Sequence, residues 1–238
     1  MNKESKRKFW IITIYAIAMA FLESAVVIYI RELYYKGGFN FPLEMNVNPF
    51  IMNVEWVREI ATIVMLVAIG YMTSKKSYEK FAYFIYAFAI WDIFYYVFLK
   101  LVIDWPSSLL TWDLLFLIPW SWLGPVITPL ICSLLFIVLA FLIVNYSDSR
   151  KNIKFSVLEW ICFIGAGILV LYTWLYDYGS IIFSNGFYKS FLTLSTNSEF
   201  IAITSKYVPT SYNWFLFCIA IILTIIGICS FYKRYRNR

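Results

Sequence analysis

Residues 78–104 read YEKFAYFIYAFAIWDIFYYVFLKLVID. The run is longer than the ~20 apolar residues needed to cross a ~30 Å hydrocarbon core. It has no strand-like alternation of apolar and polar residues, and Trp105-Pro106 closes it. A carboxylate, Asp92, sits near its centre, where a charge costs a few kcal/mol or more unless it is paired, wet or functional. The stretch therefore reads as a membrane-crossing helix with a site on it.

Working outward, five further apolar stretches have spanning length: about Phe9–Ile30, Val54–Met72, Val126–Val144, Phe155–Tyr176 and Trp214–Tyr232. Asn53 is placed to cap the second, with Glu55 in its first turn. The expected fold is all-α: one integral membrane domain over residues 1–238, a polytopic helix bundle of about six spans. Composition agrees. The chain is 62% hydrophobic, 14% charged and 21% aromatic, where soluble domains are nearer half apolar and a quarter charged. Breakers Gly37-Gly38, Pro42 and Pro49 separate the first two spans.

Ser107–Asn145 is too long for one span and short for two. Pro119, Pro125, Pro129 and Gly124 interrupt it, with Trp112, Trp120 and Trp122 nearby. The reading is a short re-entrant or interfacial helix over 109–118, a turn through Pro119–Pro125, then a span. Non-helical backbone at that depth is tolerated only inside protein or beside water. A polar loop, Asp177–Asn213, carries a short amphipathic piece around Phe183–Leu194. No internal repeat is visible, so an inverted-repeat transporter is not indicated.

Net charge is +6, in four basic clusters: Lys3, Lys6, Arg7 and Lys8; Lys75, Lys76 and Lys80; Arg150, Lys151 and Lys154; Lys233, Arg234, Arg236 and Arg238. All lie at span junctions or termini. The positive-inside rule then puts both termini in the cytoplasm of a cell-membrane protein, with the first helix uncleaved. The clusters point to anionic lipid, and no basic soluble domain exists to bind nucleic acid. The chain has no histidine, which excludes histidine-ligated haem and metal. No cofactor is expected, although oxygen ligands leave room for a divalent cation. Cys132, Cys162, Cys218 and Cys229 share no CxxC spacing and read as packing residues. Glu159, near the cytoplasmic end of its span, is free to snorkel.

Ionisable residues gather on the first three spans: Glu23, Arg31 and Glu32; Glu55, Arg58 and Glu59; Asp92, Lys100 and Asp104. The alternating direction of the spans puts them in the centre and outer half of the bundle. Asp92, Tyr96, Lys100 and Asp104 are four apart and form one stripe, bordered by Tyr95. The expected ion- or substrate-binding set is Glu23, Arg58, Glu59, Asp92, Tyr96 and Lys100. Glu23, Glu59 and Asp92 are also the candidate metal ligands. Three carboxylates facing one arginine leave excess negative charge, to be met by water, protons, a cation or a cationic substrate. The plainer alternative is an ion-pair network that sets helix register, with Arg31, Glu32, Lys100 and Asp104 snorkelling.

Four stretches, FLESAVVIYIRELYY (Phe21–Tyr35), VREIATIVML (Val57–Leu66), WDIFYYVFLK (Trp91–Lys100) and SLLTWDLLFLIPWSWLGPV (Ser108–Val126), resemble a family of uncharacterised bacterial multi-pass membrane proteins. The resemblance covers roughly the first half of the chain and implies no activity. It does place Glu23, Arg58, Glu59, Asp92 and Asp113 inside the recognisable blocks.

With no nucleotide loop, nucleophile elbow or zincin helix present, the leading expectation is a cation- or proton-coupled transport component of the inner membrane. Its ligand would be a small cation or lipid-like molecule, and the chain would work as a homo-oligomer or beside a partner membrane subunit. Two alternatives stand beside it: a membrane enzyme acting on a lipid or isoprenoid, favoured by a lateral opening wide enough for an acyl chain, and an accessory subunit.

Overall fold

The computed structural model describes residues 1–35, 38–43, 48–149, 153–189, 194 and 197–236. Gly37, Arg150, Lys151, Arg238 and residues 190–193 of the expected amphipathic piece lie outside them. The fold is an all-α bundle: α1 (Lys3–Tyr34), α2 (Pro49–Thr73), α3 (Ser77–Ile103), α4 (Ile127–Ser149), α5 (Val157–Ser184), the short α6 (Ser198–Thr204) and α7 (Trp214–Arg236). Two short strands, β1 (Trp112–Phe116) and β2 (Trp122–Pro125), lie between α3 and α4.

Local chemistry sets the helix starts. Asn2 caps α1 by accepting from the Ser5 amide at 2.7 Å. Asn48, not Asn53, caps α2, accepting from Phe50 N at 2.9 Å. Pro49 then stands in the first turn, where its fixed φ suits a helix and its missing N–H costs nothing. Ser156 and Glu159 form a reciprocal capping box on α5. That helix runs to Ser184, past the expected Tyr176, because Tyr178, Ile181 and Ile182 pack into a cluster with Leu123 and Trp120 of the hairpin region. The short loop helix is α6, capped by Asn197, rather than a piece over 183–194.

Helix α3 is central, packed against α1, α2 and α4, while α5 pairs with α7 and also holds β2. The core where α1, α3, α4 and α7 meet includes Phe9, Tyr83, Leu139, Ile143 and Phe231. At one end of the bundle the start of α1 meets the end of α4 through the Met1 amine and Asn145 Oδ1 at 2.6 Å. The α2–α3 turn joins them, with Lys76 Nζ donating to Ser147 O at 3.0 Å. The end of α7 reaches the same place, with Tyr235 against Tyr146 at 5.6 Å between ring centroids. Both chain ends therefore share one end of the bundle. Glu159 lies there too, but it does not snorkel. It is fully buried, accepting from Arg234 Nε at 3.0 Å and Ser230 Oγ at 3.2 Å.

Five helices, α1, α3, α4, α5 and α7, are long and apolar enough to cross a membrane, so the chain is a multi-spanning membrane protein. Of the six expected spans, five meet that measure. The difference is α2, whose first half carries Glu55, Arg58 and Glu59.

The region from 109 to 118 is also corrected. It holds no helix. Trp112–Phe116 and Trp122–Pro125 pair antiparallel, with Asp113 opposite Gly124 and Leu114 opposite Leu123. Pairing satisfies the backbone that Pro119 denies to a helix. Val126 N donates to Thr111 O at 3.0 Å, and Ile127 N to Leu109 O at 2.8 Å. Asp113, Leu123, Gly124, Pro125 and Val126 are buried, so this irregular backbone is enclosed by protein, as membrane depth demands.

Candidate functional site

The hairpin plugs the end of the bundle opposite the termini, and a cavity of about 490 Å³ lies beneath it, within the usual range for ligand pockets. Its polar pole is built by four elements. From α1 come Glu23 and Arg31, from α2 Glu55, Arg58 and Glu59, from α3 Asp92, Tyr95 and Tyr96, and from β1 Asp113.

Three sub-sites are distinct. In the first, Arg58 bridges α1 and α2. Its Nε donates to Glu55 Oε2 at 2.7 Å, its Nη1 is in ion-pair contact with Glu23, and Thr62 Oγ1 donates to Glu23 at 3.4 Å. In the second, Arg31 pairs with Asp113 at 3.1 Å, and Tyr96 OH donates to the other Asp113 oxygen at 3.1 Å. Arg31 and Asp113 are 7% and 1% exposed, so this is a true interior pair. The Arg31 guanidinium carbon also lies 3.7 Å from the Trp105 ring centroid and 4.1 Å from that of Phe39. In the third, two carboxylates have no cation partner among the described residues. Glu59 Oε2 accepts from the Leu117 amide at 2.9 Å, and Asp92 accepts from Ser133 Oγ at 2.8 Å.

The expected residues divide accordingly. Glu23, Arg58, Glu59, Asp92 and Tyr96 all line the cavity. Lys100 does not. It is half exposed, pairs with Asp104 at 2.7 Å and donates to Pro106 O at 3.1 Å. The hydrogen bond from Lys100 to the Asp104 side chain, reinforced by the lysine charge, holds the Asp104 carboxyl below its ordinary range. The stripe fails because residues four apart drift about 40° per step on a 3.6-residue helix, so Lys100 and Asp104 rotate off the face that Asp92 and Tyr96 share. The metal candidates lie apart. Glu23, Glu59 and Asp92 bind separate partners, and among the described residues no three His, Cys, Asp or Glu could hold a metal ion. Sequence reasoning left Arg31 as a snorkelling residue and gave Asp113 no role. The available signal was a lone carboxylate in the apolar run TWDLLFLIP, which at membrane depth requires a partner.

Below the polar pole the cavity is apolar, with Phe88, Leu135, Phe136 and Leu139 on one side and Phe163 and Val170 on another. It lies between α2, which packs on α3, and α5, which packs on α7. Phe81, Trp160, Gly167 and Leu171 line it and are also exposed. The cavity therefore opens to the side of the bundle at these residues of α3 and α5.

Compared with known proteins, the chain matches no family model, no curated protein and no solved structure.

Proposed function

We propose that this protein takes an amphipathic, lipid-like molecule sideways from the bilayer and holds its head among the buried charges. The observation that carries this reading is one cavity with two characters: a charged pole under the hairpin, and an apolar groove that opens between helices. A water-soluble ion needs no lipid-side mouth, whereas an acyl or isoprenoid chain does. From Tyr96 to Phe81 the lining follows α3 for roughly 22 Å, long enough for an extended hydrocarbon chain. Glu59 and Asp92 line this space with no cationic side chain paired to them among the described residues, and their charge requires protons, water or a cation. They are the groups we assign to proton exchange with the bound molecule.

A second reading, cation- or proton-coupled transport, is favoured by those same two carboxylates. It is compatible with lateral entry if the cargo is the amphiphile. We further read the basic end of the bundle as cytoplasmic, because Lys3, Lys6, Arg7, Lys8, Lys75, Lys76, Lys233 and Arg234 gather there with both chain ends. With the termini on one side, α2 counts as a sixth crossing. The likeness to the uncharacterised bacterial membrane family rests on its four sequence stretches.

Gly167 supplies the test. A Cβ there would meet nothing within 4 Å, so a side chain can start at Gly167 without a clash, and Gly167→Trp puts a large one at the mouth. Purified wild type should carry tightly held lipid detectable by native mass spectrometry. Gly167→Trp should lose most of it while keeping the thermal unfolding midpoint within a few degrees. Equal lipid retention in both proteins would remove the lateral-entry reading.

A further inference from the structure

Hydrogen-bond donors around Arg31 are left without acceptors. Arginine offers five N–H groups. One guanidinium nitrogen, Nη2, reaches Asp113, but Nε and Nη1 are buried with no hydrogen-bond partner among the described residues. The indole nitrogen of Trp105, whose ring stacks on the same guanidinium, is buried and unpartnered too. Three buried nitrogen donors without protein acceptors in one corner are costly, since burial removes each from bulk water. Asp113 meets only Nη2, through one oxygen, and its other oxygen accepts from Tyr96.

We infer that the Arg31–Trp105 corner is the head-group subsite, and that it takes an anionic oxygen head, a phosphate or carboxylate. This inference rests on the amphiphile reading above and names the head. A guanidinium with free N–H edges suits such oxygens better than an alcohol, which brings one acceptor atom and no charge. The neighbouring Asp113 leaves the corner near neutral, so unmet donors rather than net positive charge select the ligand. Depth agrees with the assignment. Arg31 lies in the last turn of α1, near the hairpin end of the bundle. A lipid held this way would keep its head at that end and run its tail inward past Asp92 and Phe88.

The test uses the full chain in maltoside micelles, titrated with hexadecyl phosphate, hexadecanol or inorganic phosphate and read by native mass spectrometry. Wild type should bind hexadecyl phosphate about tenfold or more tightly than hexadecanol, the discrimination expected when charge-assisted hydrogen bonds meet otherwise unsatisfied donors. Arg31→Gln should erase that preference and leave hexadecanol binding in place. Trp105→Phe keeps the ring and removes one N–H, and should reduce the preference several-fold. It also serves as the decisive variant if Arg31→Gln, by stranding Asp113, fails to fold. A preference that survives in Trp105→Phe and in any folded Arg31 variant would overturn the subsite while leaving lateral entry intact. Binding of neither amphiphile would overturn both readings. If inorganic phosphate displaces hexadecyl phosphate at equal concentration, the anion corner stands and its ligand is a free anion, not a lipid.

Discussion

Arg58→Met is expected to lower unfolding stability by about 3 kcal/mol. Breaking a buried ion pair from one side typically costs ~3–5 kcal/mol, and the lower end applies because the Arg58 side chain keeps 20% exposure. The loss arises less from the arginine than from what it leaves behind. Glu23 and Glu55 would remain on α1 and α2 without their cation, largely buried at the polar pole of the cavity. Unfolding in mixed micelles measures the effect. The charge account also makes a stricter demand: adding Glu23→Gln and Glu55→Gln to Arg58→Met should restore most of the lost stability, because the stranded charges go with their partner. A triple variant as unstable as the single one would mean that Arg58 acts by packing, with its aliphatic stem filling the α1–α2 seam.

The same electrostatics explains what the sequence discloses and what it hides. Six long apolar stretches and basic junctions point to a membrane bundle because bilayer thickness and backbone hydrogen bonding permit few alternatives. Co-location of Glu23, Arg58, Glu59 and Asp92 follows from alternating span direction alone, and the cavity holds all four. Partner choice is another matter. That Glu23 meets Arg58 while Asp92 meets Ser133 of α4 depends on how the helices rotate and pack, which spacing does not encode. Lys100 shows the limit: four-residue spacing puts it on the Asp92 stripe, and helical drift carries it out to Asp104. The hairpin was concealed for a different reason. WDLLF and WLGP are short apolar runs of the kind whose periodicity cannot separate strand from helix, and the prolines that rule out a long helix do not say what replaces it. Asp113 sits on that hairpin, so its pairing with Arg31 is hidden in the sequence for the same reason.

Gly70→Leu is expected to be the most disruptive change outside the charged residues. A Cβ at Gly70 would come within 2.8 Å of Lys80 O and 2.9 Å of Phe84 N, both backbone atoms of α3. Helices in membranes associate through such small-residue contacts, where backbones approach closely and no hydrophobic force holds them together. Overpacking costs ~1–3 kcal/mol where side chains can adjust, and more is expected here because backbone cannot. The consequence reaches beyond stability. Gly70 lies fifteen residues from Glu55 on the same helix, roughly 22 Å along its axis, so a displaced α2 would pull Glu55, Arg58 and Glu59 away from Glu23 and the hairpin together. The measurement is paired: unfolding midpoint and retained lipid for Gly70→Leu against Gly167→Leu. The first variant should lose both, and the second should lose lipid alone. Loss of stability in both variants would mean that the space beside Gly167 is needed for folding rather than for a ligand. A stable Gly70→Leu would show that α2 is held by its charged end instead of by its seam with α3.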